Sequence, residues 1–338
     1  MKLKKYTPPA GPTPKERVMK RVKITALVLL GIFAFLIAAD LLYSGISVYR
    51  WTHPEKVTWS QSPAEFGLDY YSFEIETENG TVRGWKIAAQ TPIPDDAEEW
   101  VPAIEYSDKT VVLACNYDSN REFADLGGID YMVDLCAAGY NVITFDWTGS
   151  GFSDGSKNVF LLDKVEDLRK VVEFAASETD SSFLAIHAVG FACYPATQVA
   201  ADCDVVDALV LDSSYESFSD AFYGNFKSWS AVSFAPVRET VRMMFPMIAG
   251  FSPDEYALTD AMNRMNQKAV LFIQGEYDEV FGSDGAKHLQ SLAKNDNESS
   301  LWIVPEATHL RCRTYDIEQY LSKVDSFLDE IYDSSHAA

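Results

Sequence analysis

The sequence predicts an α/β fold in which a mostly parallel sheet is flanked by helices and preceded by one membrane-spanning helix. Three features of the 338 residues lead to this prediction. Short apolar runs recur along the chain, amphipathic segments separate them, and one long uncharged stretch stands near the N-terminus. Runs without polar alternation are typical of strands covered on both faces, as in a parallel sheet.

Eight apolar runs predict strands. The first two flank Glu78-Asn79-Gly80, and an Asn-Gly pair between such runs is a strong hairpin signal. The other six are followed or separated by segments long enough for helices, which is the alternation expected of an α/β sheet. The eight runs are residues 73–77, 81–88, 110–115, 141–146, 183–187, 208–211, 270–274 and 301–304.

Amphipathic segments between these runs predict the flanking helices. Residues 165–172 place Val165, Leu168 and Val172 on one helical stripe, and residues 317–331 carry a longer stripe at the end of the chain. Strands that alternate with helices favour a parallel sheet with right-handed crossovers.

Residues 24–39 are uncharged and almost wholly apolar, and after Asp40 the apolar character continues to Tyr49. This length is adequate for a membrane span of about 20 residues. Residues 1–23 carry eight Lys and Arg side chains against one Glu, which predicts a cytoplasmic N-terminus. We therefore expect a single-pass cell-membrane protein with an extracytoplasmic domain, divided into a basic tail (1–23), an anchor (24–49), a linker (50–68) and a globular domain (69–334).

A cleaved signal peptide is the alternative, with Ala38-Ala39 as the processing site. The long Pro-containing tail and the continuation of apolar residues past Ala39 favour a retained anchor.

The formal net charge is −22, which argues against nucleic-acid binding because that requires basic surface. The five cysteines show no metal-ligand spacing. Buried unpaired thiols are expected, with one disulfide as the alternative.

Residues 182–196 (SFLAIHAVGFACYPA) predict a strand, a tight turn of small residues and the start of a helix. This pattern resembles the nucleophile elbow of the α/β-hydrolase superfamily, with Ala188 and Ala192 at its small-residue positions. Gly190 stands where the family has its nucleophilic serine. Glycine adopts the strained dihedral angles of that turn freely, so the turn is expected to persist without the hydroxyl group.

Two later segments resemble the remaining members of the family's triad. Asp278 follows the strand-Gly-x-x-Asp pattern of residues 270–278, and His309 ends a strand-and-loop pattern over residues 301–309. The chain resembles bacterial membrane-anchored members of the family, of the esterase and serine aminopeptidase type. This resemblance implies that Asp278 is the acid, His309 the base and Gly190 the vacated nucleophile position. It implies no metal or organic cofactor.

The resemblance also implies an oxyanion hole and a pocket beside the elbow, at Asn116, Tyr117 and Phe191. The loop after residues 110–115 usually reads His-Gly in the family, whereas here it reads Cys115-Asn116-Tyr117. Backbone N–H groups donate whatever their side chains are, so a hole of altered shape is expected.

Residues 213–268 are too long for a plain crossover and are rich in large apolar side chains. The family commonly carries a helical cap here, which would form a pocket for a small apolar acyl-type ligand. The alternative is that these side chains simply pack helices onto the sheet.

We therefore expect a membrane-anchored pseudoenzyme that binds a ligand or partner without ordinary turnover, and its sensitivity to Gly190→Ser would distinguish it from an active hydrolase. The alternative is an active hydrolase that uses Cys115, Cys193, Ser213 or a water activated by His309. A purely structural domain would not need Asp278 and His309 in register.

Overall fold

The computed structural model describes residues 11–91, 103–104, 107–265, 268–293 and 299–337. Lys2, Lys4 and Lys5 of the basic tail lie outside the described residues. The described strands, in chain order, are β1 (Tyr71–Thr77), β2 (Gly80–Ile87), β3 (Gln90–Thr91), β4 (Ala103–Ile104), β5 (Lys109–Ala114), β6 (Asn141–Asp146), β7 (Phe183–Val189), β8 (Ala208–Asp212), β9 (Ala269–Tyr277) and β10 (Ser300–Thr308).

The described α-helices surround and precede this sheet. They are α1 (Pro14–Thr52), α2 (Ile129–Ala137), α3 (Val165–Glu178), α4 (Cys193–Asp202), α5 (Phe218–Gly224), α6 (Phe226–Trp229), α7 (Ala235–Ala249), α8 (Leu258–Arg264), α9 (Asp284–Leu292), α10 (Cys312–Tyr315) and α11 (Ile317–His336).

The main sheet has the order β1-β2-β6-β5-β7-β8-β9-β10. β1 pairs with β2, and β2 with β6, in antiparallel fashion, whereas the strands from β6 to β10 pair in parallel. β6, β7 and β8 are buried along their whole length, as expected for strands covered on both faces. The eight predicted strands and the two amphipathic helices are confirmed. The short pair β3–β4 was not predicted, because two-residue strands leave no periodic signal.

The helix α1 extends the predicted anchor at both ends. It begins at Pro14, where Thr13 and Glu16 form a capping box, so the described part of the basic tail is helical. It ends at Thr52 and buries Ser44, Val48 and Thr52. By length and composition, α1 is able to cross a membrane, with a mean hydropathy of 2.5 over its most apolar stretch.

The predicted linker lies against the domain. Trp59 packs its ring 5.3 Å from that of Trp85, and Lys56 Nζ donates to the backbone oxygen of Ser153. The backbone N–H of Ser60 donates to Glu122 Oε1 over 2.9 Å. Residues 53–62 are thus fixed by side-chain contacts although they form no helix or strand.

The insertion after β8 carries α5, α6, α7 and α8. Phe222, Phe226 and Phe245 are buried within it. All five cysteines are unpaired, four of them buried and Cys203 partly exposed, so the expectation of free thiols is confirmed.

Candidate active site

The turn after β7 places Gly190 at the carboxyl edge of the sheet, between the ends of β5 and β8. Gly190 has a φ of +60°, a left-handed conformation that glycine adopts without steric cost. It begins a 3-10 turn that leads directly into α4. The strand, turn and helix start predicted for residues 182–196 are therefore present.

Asp278 and His309 follow β9 and β10, which are adjacent and parallel. The carboxyl ends of these strands bring His309 Nδ1 to 2.9 Å from Asp278 Oδ2. The buried carboxylate also accepts hydrogen bonds from Gln274 Nε2 and from the backbone N–H groups of Val280 and Phe281. Because an ionised carboxylate only accepts, Nδ1 of the neutral ring carries the proton and Nε2 is left as the basic nitrogen.

Comparison with known proteins supports a specific fold. No protein-family model and no curated protein matches the sequence. Among solved structures, the chain is similar to the Pyrococcus furiosus esterase Pf2001, with a TM-score of 0.65 and 20% identity over 82% of this chain and 97% of that one. The α/β hydrolase GrgF from Penicillium sp. sh18 gives a TM-score of 0.58 and 13% identity over 78% of this chain and 99% of that one.

A third similar structure is Est1E from Butyrivibrio proteoclasticus with ferulic acid bound. Its TM-score is 0.55, at 16% identity over 77% of this chain and 99% of that one. The chain has the α/β-hydrolase fold. At these identities the similarity concerns the fold alone.

In the α/β-hydrolase fold, the backbone N–H of the residue after the nucleophile helps to form the oxyanion hole. Here that N–H belongs to Phe191, and it donates to Asn116 Oδ1 over 3.0 Å. Asn116 Nδ2 donates in turn to Asp118 Oδ1 over 2.8 Å, which fixes the orientation of the amide. The side-chain oxygen of a buried asparagine thus already accepts the hydrogen bond that this fold offers to a reacting oxyanion.

The same asparagine occupies the space beside the vacated nucleophile position. A Cβ atom at Gly190 would lie 2.6 Å from Asn116 Oδ1, 3.0 Å from Asn116 Cγ and 3.3 Å from Leu310 Cδ2. A contact of 2.6 Å is well inside van der Waals separation, so a serine fits only if Asn116 moves. Activity after Gly190→Ser therefore depends on whether Asn116 can move aside.

Aromatic rings fill the space next to the elbow. The Phe191 ring has six aromatic neighbours with centroids 5.0–5.6 Å away, which are Tyr117, Phe160, Tyr215, Phe218, Trp229 and Phe281. Three of them, Tyr215, Phe218 and Trp229, come from the insertion after β8. The aromatic residues of the insertion therefore act here as packing, the second of the two roles that the sequence left open.

His309, which is paired with Asp278, lines a polar cavity of about 400 Å³. Asp118, Glu122 and Asp125 contribute carboxylates to its wall. Burial raises the pKa of Asp118, and it raises that of Asp125 to about 6. Nε2 of His309 has no hydrogen-bond partner within the described residues. A ligand in this cavity would lie beside His309, three acidic residues and Arg311.

Among the described residues, none of the three alternative protein nucleophiles forms a hydrogen bond with the His309 ring. Cys115 and Cys193 are fully buried, and burial raises the pKa of each thiol well above its ordinary value. Cys193 Sγ lies 3.7 Å from the backbone oxygens of Ala188 and Asp212. The buried Ser213 Oγ donates to Asp212 Oδ1 over 2.8 Å. None of the three contacts a basic nitrogen, so the structure gives no support to their proposed role.

His187 is a core residue whose two ring nitrogens both have hydrogen-bond partners. Its Nδ1 lies 2.8 Å from Tyr131 Oη and its Nε2 lies 3.0 Å from Tyr320 Oη. Tyr320 donates to Asp212 Oδ2, so Nε2 of His187 carries the proton and Nδ1 accepts from Tyr131. Burial lowers the pKa of His187 to about 3 and raises that of Asp212 to about 6. This buried chain stabilises the neutral imidazole and places it outside catalysis.

Sequence reasoning missed two polar contacts near the site. The first is the bond between Asn116 and Phe191, for which the only signal is the unusual side chain in the loop after β5. The second is a buried ion pair, in which Arg121 Nε and Nη2 donate to Asp146 Oδ2 over 2.9 and 2.7 Å.

Proposed function

We propose that this chain is a membrane-anchored α/β-hydrolase-fold protein that binds a ligand or partner and does not hydrolyse it. One observation carries the proposal, namely that Asn116 Oδ1 accepts from the Phe191 N–H and stands beside a residue with no side chain. A serine hydrolase site needs a nucleophile, an oxyanion hole and a base. Here the nucleophile is missing, and one donor of the oxyanion hole is occupied. Only the base, His309 oriented by Asp278, keeps its expected geometry.

The occupied donor matters for how much activity is left. When only the nucleophile is removed from a working triad, the oxyanion hole and substrate binding still give about 10³–10⁴-fold acceleration over water. Here the Phe191 N–H is committed to an internal acceptor, so this residual catalysis should also be reduced. We therefore expect no detectable hydrolysis rather than slow hydrolysis.

Membrane attachment is the second part of the proposal. The support is the length of α1, its apolar composition and its exposure, since none of its most apolar stretch is buried in the protein. The basic residues of its first turns favour a cytoplasmic N-terminus. The domain would then stand on the opposite side of the membrane.

A second candidate function is hydrolysis by a water that His309 activates. It is favoured by the intact hydrogen bond between His309 and Asp278 and by the cavity that reaches His309. Such a reaction would depend on His309 but on no protein nucleophile.

The test compares the full-length wild-type protein in detergent micelles with a His309→Ala variant on a panel of short- and long-chain acyl esters. A fluorophosphonate that labels activated serines is applied to both proteins in parallel. We expect equal background rates and no labelling. Turnover that disappears in His309→Ala without labelling would refute the pseudoenzyme and establish the water mechanism, and labelling of the wild type would reveal an active serine.

A further inference from the structure

The helix α7 of the insertion lies beside α1 and runs in the same direction. Thr240 Oγ1 donates to Asp40 Oδ2 over 2.6 Å. Further along both helices, a Cβ at Gly45 would lie 3.0 Å from Met244 Cε. In these two contacting pairs the residue numbers rise together along both helices, which shows that the helices are parallel. The N-terminus of α7 therefore points back toward the apolar part of α1.

The chain reaches that point through residues 231–237, a short loop together with the first residues of α7, which we call the dipping loop. Before it, Ser230 Oγ lies 3.1 Å from Tyr43 Oη, near the domain end of α1. At its far end, Phe234 and Pro236 line a shared cavity with α1 residues as distant as Phe33. Phe33 and Tyr43 are about 15 Å apart along the helix axis at 1.5 Å per residue. The dipping loop therefore runs back along the anchor and returns as α7.

The cavity between the dipping loop and α1 is apolar. Its volume is about 470 Å³, and its lining consists of Phe33, Leu36, Ile37, Ala39, Asp40, Tyr43, Val232, Phe234, Pro236 and Val237. Most of its α1 wall belongs to the uncharged stretch that ends at Ala39. Phe234 itself is 58% exposed. An exposed phenylalanine beside a membrane-spanning helix is suited to contact with lipid.

Charged side chains of α1 and α7 lie at the same height along the two helix axes. Asp40 is bonded to Thr240, and the ion pair of Arg238 with Glu239 stands directly before Thr240 on α7. On the other side of this level, α1 is uncharged from Ala39 back to Ile24. Phe234 lies about 9 Å below Thr240 along α7, which matches the 5–10 Å to which interfacial segments enter a bilayer.

We propose that the dipping loop inserts into the membrane leaflet next to the domain and that lipid acyl chains fill the cavity between this loop and α1. The uncharged stretch of residues 24–39 measures about 24 Å as a helix, which is shorter than a hydrocarbon core of about 30 Å. The dipping loop adds apolar surface at the end of the anchor where the run stops. This inference rests on the proposed membrane attachment of α1.

The experiment uses full-length protein with the background substitution Cys203→Ser, because Cys203 is the one partly exposed thiol among the five. A bimane fluorophore is attached to a cysteine at position 234, 36 or 205, and each protein is reconstituted into phosphatidylcholine vesicles with or without bromine on the acyl chains. Leu36→Cys reports the anchor. Val205→Cys is the matched soluble control, since Val205 is exposed before the amino end of β8, at the sheet edge opposite Gly190.

We expect the fluorophores at positions 36 and 234 to lose most of their intensity in brominated vesicles, and the one at position 205 to lose none. Quenching at position 36 without quenching at position 234 would overturn the insertion of the dipping loop and leave the anchor intact. Absence of quenching at both positions would overturn the membrane attachment together with the inference.

Discussion

Replacement of Gly190 by serine tests the central geometric argument. Serine at a φ of +60° carries a left-handed strain of about 1–2 kcal/mol. Its Cβ also displaces Asn116 Oδ1, which leaves the buried N–H of Phe191 without an acceptor at a cost of about 1–3 kcal/mol. We therefore expect Gly190→Ser to lower the free energy of unfolding by about 2–5 kcal/mol and to restore little or no hydrolysis.

A second substitution separates the two contributions. Asn116→Ala removes the atoms that the new side chain would strike, so the double variant Gly190→Ser/Asn116→Ala should be more stable than the two single effects add up to. A coupling of about 0.5–3 kcal/mol is typical of groups in direct contact. The double variant also frees the Phe191 N–H for an oxyanion, so we expect it to hydrolyse acyl esters faster than Gly190→Ser alone.

The assay measures urea unfolding by tryptophan fluorescence and ester hydrolysis on the same full-length preparations in detergent micelles. Gly190→Ala is the matched control, because it adds the same Cβ without a hydroxyl and should destabilise by a similar amount. Addition of His309→Ala to the double variant should abolish the recovered hydrolysis. The reasoning fails if Gly190→Ser alone has wild-type stability and full activity, because Asn116 would then not obstruct the site.

Two further predictions concern stability. Burial raises the pKa of Asp212 to about 6, so the folded state binds more protons than the unfolded state between its ordinary pKa of 3.8 and that value. Stability from this group is therefore lost as pH rises from about 4 to about 6, by roughly 3 kcal/mol, and urea unfolding should show that Asp212→Asn flattens the decline between pH 4 and pH 6; an unchanged pH profile would contradict this. Arg121→Ala leaves the buried Asp146 carboxylate unpaired and should lower the free energy of unfolding by about 3–5 kcal/mol in the same assay, against about 0–1 kcal/mol for removal of the exposed partner Glu74 from Arg83; equal effects of the two would show that the buried pair has no special role.

The fold could be predicted from the sequence because the patterns that indicate it involve residues close together in the chain. Each parallel strand is a run of apolar residues that chain neighbours alone define, and the Asn-Gly turn fixes the first hairpin. The pairing of Asp278 with His309 was also accessible, since both residues directly follow neighbouring strands of the sheet. The strands, the first hairpin and the Asp278–His309 pair could therefore be predicted from the order of residues along the chain.

The contact between Asn116 and Phe191 was not accessible in this way. These residues are far apart in sequence, and their hydrogen bond depends on the direction of one side chain in a loop. The sequence showed an unusual loop after β5 but not that its amide points toward Gly190. In the same way, composition could not distinguish aromatic rings that line a pocket from rings that fill it, because both require the same residues.

The junction between α1 and the domain has a mechanical consequence. The backbone N–H of Asn158 donates to the backbone oxygen of Thr52, and the ring of Trp51 packs edge-on against Phe222, so the last turn of the helix has no hinge. A rotation of α1 about its own axis must turn the whole domain with it. If two such helices associate, their contact face alone will dictate which surfaces of the two domains confront each other.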